Sequence, residues 1–213
     1  MPTLPRAEPR VETPSPDSGL HEGEDQSVFA LFGLGNPGAR YLRTRHNLGF
    51  LLVERLVDHL EAKAASGSAD AVHHVATIEG RTLHLLRPLT WMNRSGIAVE
   101  QFRDRTGLAL GQLLVAVDDV ALDLGRIRLR PGGSDGGHNG LRSVQEHLGT
   151  SDWARLRLGC GPAPEDQDLA DFVLGDFAAD DGAVVDELTE RAANAVCSWV
   201  LSGTDMTMSR FNG

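Results

Sequence analysis

The sequence predicts an α/β fold, a single-domain three-layer sandwich in which a twisted, mostly parallel (mixed) sheet carries helices on both faces. Three observations lead there. Short apolar runs of strand length alternate with segments of helical periodicity over most of the chain, the order that builds sheets covered on both sides. Glycine-rich turns bound the runs, and no internal repeat interrupts the alternation. A chain of 213 residues is long enough to bury a core.

Residues 1–26 hold Pro2, Pro5, Pro9, Pro14 and Pro16, several acids and almost no apolar periodicity, so a disordered tail is expected ahead of a folded unit spanning 27–213. Val28 to Phe32 reads as a buried strand entering the turn Gly33 to Gly38. Between Asn47 and Ala62, Phe50, Leu51, Val53, Leu56, Val57 and Leu60 recur at helical spacing. Gly67 to Ala69 breaks that helix, and Ala71–Ile78 with Thr82–Leu86 forms a hairpin across Gly80. Ser95 to Thr106 returns to helical spacing. Leu113 to Val117 is a strand ending at Asp118 and Asp119, and Arg126 to Arg130 alternates strictly, a half-buried strand with one arginine face. A loop with five glycines runs from Pro131 to Gly140, followed by a short helix over 141–148. Trp153 to Cys160 reads as a strand, Asp171 to Leu174 as a last short strand, and Ala179 to Leu201 as a long closing helix.

Composition excludes some functions. The longest apolar stretches are four or five residues, against the roughly 20 that span a bilayer, and Arg6 and Arg10 are followed by no apolar leader, so a cytoplasmic protein is expected. Cys160 and Cys197 lie in apolar contexts without a CxxC pair and read as buried thiols. The net charge of −10 argues against a nucleic-acid partner until it is divided along the chain. Residues 1–27 carry −4, 28–60 carry +2, 61–123 carry −2, 124–160 carry +3 and 161–213 carry −9. Arg40, Arg43, Arg45, Arg126, Arg128, Arg130, Arg142, Arg155 and Arg157 crowd the two Gly/Asn-rich segments, so a basic site on an acidic protein is possible where those segments meet.

Gly33-Leu-Gly35-Asn-Pro-Gly38 matches the GxGxxG pattern of dinucleotide sites, but Pro37 and Tyr41 to Arg43 delay the helix, and no acid ends a second strand about 20 residues on. The same segment offers Asn36, Tyr41, His46 and Asn47 past a strand end, where α/β sheets build sites. His46 stands near a helix start, whose positive end favours a neutral imidazole able to act as a base. Asp118 could orient that ring, and a His and Asp without a partnered nucleophile would activate water; alternatively, the two aspartates only terminate a strand. His46, Asp118 and His138 could also ligate a metal, although no HxH, HExxH or CxxC spacing supports it. Asn93 and Asn139 read singly as helix N-caps. With Asn36 they form three amides at three strand-to-helix junctions, suited to peptide groups or a developing oxyanion.

Taken in order, Gly33 to Gly38 with Tyr41 and Thr44-Arg-His-Asn-Leu-Gly49, Trp91-Met-Asn-Arg-Ser-Gly96, Asp118-Asp119, Gly136-Gly-His-Asn-Gly140, Arg155-Leu-Arg-Leu-Gly159, Phe172-Val-Leu-Gly175 and Arg210-Phe-Asn212 resemble bacterial peptidyl-tRNA hydrolases from Val28 to the end. The resemblance implies a monomeric, cofactor-free and metal-free esterase that cuts the ester between a peptide and the terminal ribose of tRNA. It places the general base on His46, the orienting carboxylate on Asp118 and a water- and substrate-holding amide on Asn36. Asn93 and Asn139 match residues that grip the peptide or the tRNA end, and Met92, Tyr41, Asn47 and His138 match further lining positions. Arg128, Arg130 and Arg157 match basic positions used toward tRNA. The chain departs from the pattern at Val117, at Asp119, and at 162–171, where Glu165, Asp166, Asp168 and Asp171 replace expected basic residues, so weaker phosphate affinity is expected at that edge. The alternatives are a relative that binds tRNA or peptide without hydrolysing, and a nucleotide-dependent enzyme using the glycine turn.

Overall fold

The computed structural model describes residues 27–65 and 70–212; the expected tail at 1–26 and the helix-breaking stretch at 67–69 lie outside the described residues. Seven strands form one sheet: β1 (Val28–Gly33), β2 (Lys63–Ala64), β3 (Ala71–Ile78), β4 (Arg81–Pro88), β5 (Leu113–Asp123), β6 (Ile127–Arg130) and β7 (Ala154–Gly161), in the order β2-β3-β4-β1-β5-β7-β6. β4, β1, β5 and β7 run parallel, while β2 and β3 on one side and β6 on the other are antiparallel. The helices are α1 (Leu48–His59), α2 (Ser95–Thr106), α3 (Asn139–Leu148), α4 (Leu169–Leu174) and α5 (Gly182–Phe211).

Side-chain alternation along the central strands divides the core. Phe29 and Leu31 of β1, with Leu114 and Ala116 of β5, pack toward α1 and α5, while Ala30, Phe32, Leu113, Val115 and Val117 pack toward α2 and α3. Phe29 meets Trp199 of α5 edge-on at 5.2 Å, and Phe32 meets Phe102 of α2 at 5.6 Å. The expected three layers are present.

Three expectations change. Asp171 to Leu174 is not a strand but part of α4, whose start is capped by the Asp168 carboxylate accepting from the Ala170 and Asp171 amides; Phe172 and the half-buried Val173 then face the core while Asp171 and Leu174 stay exposed, which suits one helical turn and a half rather than a sheet edge. β5 does not stop at Val117. It runs on to Asp123 beside β7, because Gly159 and Gly161 leave room for its carbonyls: a Cβ at Gly159 would stand 2.1 Å from the Asp123 oxygen and one at Gly161 2.0 Å from that of Val120. The closing helix also extends past Leu201 to Phe211, broken at Gly203, whose φ is 78°.

The glycine turn after β1 has a packing explanation. A Cβ on Gly33 would lie 2.0 Å from the Gly49 oxygen, and one on Gly49 would lie 2.4 Å from the Leu34 nitrogen. The first turn of α1 therefore crosses the strand end at backbone contact, and Gly35 is closed in by the Phe50 ring. Backbone packing against the protein's own helix accounts for Gly33 and Gly35.

On the outer part of the sheet, His73 Nε2 and His84 Nδ1 share a hydrogen bond of 2.8 Å, and both rings stand edge-on to Phe102. Burial, the neighbouring His84 and Arg105 lower the His73 pKa to about 4, and burial lowers that of His84. Both rings take up protons more readily in the unfolded chain, so their contribution to stability is whole above pH 6.5 and is lost as the pH falls toward about 4. Urea unfolding midpoints are expected to drop across that window, and His73→Phe, which has no proton to gain, to flatten the drop. Equal slopes in the two proteins would refute the assignment.

Candidate active site

The C-terminal ends of β1 and β5 lie side by side at the point where the chain changes direction across the sheet, the crevice in which open α/β sheets bind ligands. A cavity of about 550 Å³ opens there, lined by Asn36, His46, Met92, Asn93, Asp118, His138 and Asn139 among others. Four parts of the chain deliver them. Asn36 and His46 come from the β1–α1 loop, Met92 and Asn93 from the β4–α2 loop, Asp118 from β5 itself, and His138 and Asn139 from the start of α3.

Asp118 is 3% exposed and accepts two hydrogen bonds on Oδ1, from His46 Nδ1 at 2.9 Å and from His138 Nε2 at 3.1 Å. Burial alone would raise its pKa, but the two imidazoles win and hold the carboxyl well below the usual range. An ionised carboxylate only accepts hydrogen bonds, so both ring nitrogens facing it carry protons. His138 Nδ1 accepts from the Gly140 and Leu141 amides, capping α3, so this ring is neutral and fully committed. His46 is different. With Nδ1–H on Asp118, it has Nε2 free of the carboxylate, and a neutral ring so held would offer that lone pair to the cavity.

Period-two alternation explains why Asp118, and not Asp119, meets His46. Adjacent strand residues point to opposite faces, and Asp119 instead pairs with Arg157 at 3.2 Å. The same two imidazoles and carboxylate are close enough together to suggest a metal site among the described residues. The donor set does not fit. His138 Nε2 is the protonated nitrogen, since its Nδ1 lone pair is taken by two backbone amides, and a metal at Nε2 would turn an Nδ1–H against those amides.

Asn36 is oriented by its neighbours. Its backbone N–H donates to Asn47 Oδ1 at 2.8 Å, and Asn47 Nδ2 donates to its carbonyl at 3.0 Å, so the fully buried Asn47 acts like a paired strand. The Met92 amide donates to Asn36 Oδ1 at 2.9 Å, which assigns the other end of the side-chain amide, Nδ2, as a donor. Asn93 and Asn139 are exposed at the rim and do not act as N-caps; Arg94 and His138 occupy those positions.

Other expected residues lie farther out. Tyr41 is outside the cavity lining, edge-on to the lining residue Trp91 at 6.0 Å, with the Arg40 guanidinium over its ring. Arg157 lines the cavity but is engaged by Asp119 and by the Ser134 carbonyl at 2.9 Å. Arg128 and Arg130 stand exposed on β6, opposite Arg157 and Arg155 in register. Arg155 is structural: it is 1% exposed, stacks 4.0 Å from the Trp153 ring and donates to the Gly133, Ser134, Ser151 and Trp153 carbonyls. One wall was missed from the sequence, the Leu169, Ala170, Val173 and Leu174 side of α4. The Asp168 cap followed by Leu169, Phe172 and Val173 at helical spacing is the signal that reveals it.

A family model described as peptidyl-tRNA hydrolase matches residues 30–213. The peptidyl-tRNA hydrolase of Lachnospira eligens is 37% identical over 186 residues, covering 87% of this chain and 100% of that protein. That of Thermotoga petrophila is 40% identical over 184 residues, covering 86% and 97%. The crystal structure of peptidyl-tRNA hydrolase from Acinetobacter baumannii has a TM-score of 0.82 at 33% identity, covering 90% of this chain and 97% of that one.

The hydrogen bonds predict the tautomers. Where the rings are neutral, imidazole ¹⁵N spectra are expected to show His46 protonated on Nδ1 alone and His138 on Nε2 alone. An Nδ1–H signal from His138 would overturn this reading of the site.

Proposed function

Since the chain belongs to the peptidyl-tRNA hydrolase family, we propose that it hydrolyses the ester between a peptide and the terminal ribose of tRNA through a water activated by His46. The observation that carries the assignment of residues is the buried Asp118 carboxylate, which leaves His46 Nε2 as the free base in the cavity.

The water gives a proton to Nε2 as its oxygen attacks the ester carbonyl. Asp118 stabilises the imidazolium that forms, at the protonated Nδ1, without itself taking the proton. Asn36 Nδ2 and the rim amides of Asn93 and Asn139 are the donors available to the carbonyl oxygen as it becomes an oxyanion. Collapse of the tetrahedral intermediate breaks the bond to the ribose oxygen, and His46 returns its proton to that leaving oxygen. No serine or cysteine is needed; Cys160 is buried, and burial pushes its thiol pKa far up, which suits an inert core residue.

His138 supports the reaction indirectly, by holding Asp118 and the start of α3, and Met92 by fixing Asn36 through its amide. Arg128 and Arg130 are the exposed cations suited to tRNA phosphates, and among the described residues no ion pair engages them. The acids at 165–171 are exposed at the opposite rim and repel phosphate there. We read the protein as acting in the cytoplasm as a monomer; no helix among the described residues is long and apolar enough to cross a membrane. The family match favours the hydrolase over a relative that binds without cutting.

His46→Ala is expected to lower kcat on peptidyl-tRNA by about 10² to 10⁴, the range of a general base, in a protein that still folds but melts at a lower temperature, since Asp118 loses a donor; a rate within threefold of wild type, as an order-of-magnitude bound, would reject the mechanism. Replacing both Arg128 and Arg130 by Ala is expected to raise KM with kcat preserved and to reduce the salt slope of tRNA binding by about 2. A slope that does not move would remove these residues from the tRNA surface.

A further inference from the structure

We infer that Arg45 is a positioning residue that fixes α4, the apolar wall of the cavity, to the turn carrying His46, and so sets how tightly the peptide half of the substrate is held. The inference rests on the hydrolase reading above and deepens it.

Arg45 directly precedes the base, in the turn Arg45–Asn47. Its backbone N–H donates to the Gly175 carbonyl at 3.1 Å, and Thr44 forms an antiparallel bridge to Asp176. Its guanidinium Nη1 lies within hydrogen-bond reach of three carbonyls at the end of α4 and just beyond it: Phe172 at 3.3 Å, Gly175 at 3.2 Å and Asp176 at 2.8 Å. The same group lies 4.3 Å from the centre of the Phe172 ring and 5.2 Å from that of Phe177. A cation at a helix C-terminus satisfies carbonyls that the helix leaves open and complements its dipole.

The rest of α4 has little to hold it. Phe172 is its only buried residue, while Leu169 and Leu174, which line the cavity, are 56% and 41% exposed. The Phe172 ring, the half-buried Val173 and the backbone links of Thr44 and Arg45 place the segment, and the guanidinium is the side-chain group that ties the end of α4 to the turn of His46. Gly175 is part of the fit, since a Cβ there would stand 3.3 Å from Nη1. His46 keeps its own anchor on Asp118 whether or not α4 is held. A loosened wall weakens contacts made equally in the bound substrate and the transition state, so its loss belongs in KM.

The test compares two substrates, N-acetylglycyl-tRNA and a tRNA carrying an N-acetylated apolar tetrapeptide. In Arg45→Ala, KM for the tetrapeptidyl-tRNA is expected to rise about tenfold and KM for the acetylglycyl-tRNA less than about threefold, with kcat and its pH profile unchanged. Arg45→Lys keeps the charge but not the stacked fork, so it is expected to fall between the two. Equal losses on both substrates, a fall in kcat, or a shifted pH profile would overturn the inference. Should Arg45→Ala not fold, Leu169→Ser with Leu174→Ser, both at exposed positions, is expected to show the same selective rise in KM, and the absence of that split also overturns it. Wild-type protein that cuts neither substrate would instead overturn the hydrolase reading on which this one stands.

Discussion

The candidate site depends on a single buried carboxylate. Asp118 lies at 3% exposure between two imidazoles, and its ionised state decides which nitrogen of each ring bears a proton. Were it neutral, His46 could turn its basic nitrogen inward and the start of α3 would lose its orientation, since His138 links that helix to the carboxylate. A charge so buried is tolerable only where donors surround it. The sheet provides this, because the parallel pairing of β5 with β1 sets the strand from which Asp118 projects beside the loop that carries His46.

Most of the fold was legible in the sequence because both faces of the central strands are apolar. Val28 to Phe32 and Leu113 to Val117 read as continuous hydrophobic runs, the mark of strands covered on two sides. α2 was readable to the residue, from Ser95 to Thr106. Where burial is slight, the pattern is uninformative. α4 buries one residue, and its helix signal is confined to the Asp168 cap and three apolar residues, too short a pattern to outweigh a strand reading of Asp171 to Leu174. The continuation of β5 through two aspartates depends on glycines in β7, some 40 residues away in the chain.

The site divides in the same way. His46, Asp118 and Asn36 could be named from residue types at strand ends together with the family resemblance, and the structure gathers them around one cavity. Cross-chain engagement was not readable. Arg155 and Arg157 share the alternating pattern that makes Arg128 and Arg130 solvent-facing, yet the 131–138 loop folds over them and supplies carbonyls, so one arginine becomes interior and the other is held by Asp119. Asn47 likewise reads as a lining residue, and its actual work is to pair with the Asn36 backbone. The GxGxxG match is explained by Gly33 against Gly49, a contact between two backbones that no local pattern reveals.

The long sequence separation of the proposed base and its carboxylate bears on how the site is assembled. His46 and Asp118 are 72 residues apart and meet only when β5 joins β1. The β3–β4 hairpin and the helices close over short stretches of chain, whereas this parallel pairing must first close a long loop, the slower class of event in folding. The His46–Asp118 hydrogen bond therefore belongs to the slower of these two classes of contact. Nothing orients the His46 ring until β5 is in place, so the geometry of the site reports on the long-range part of the fold and not on its hairpin or helices.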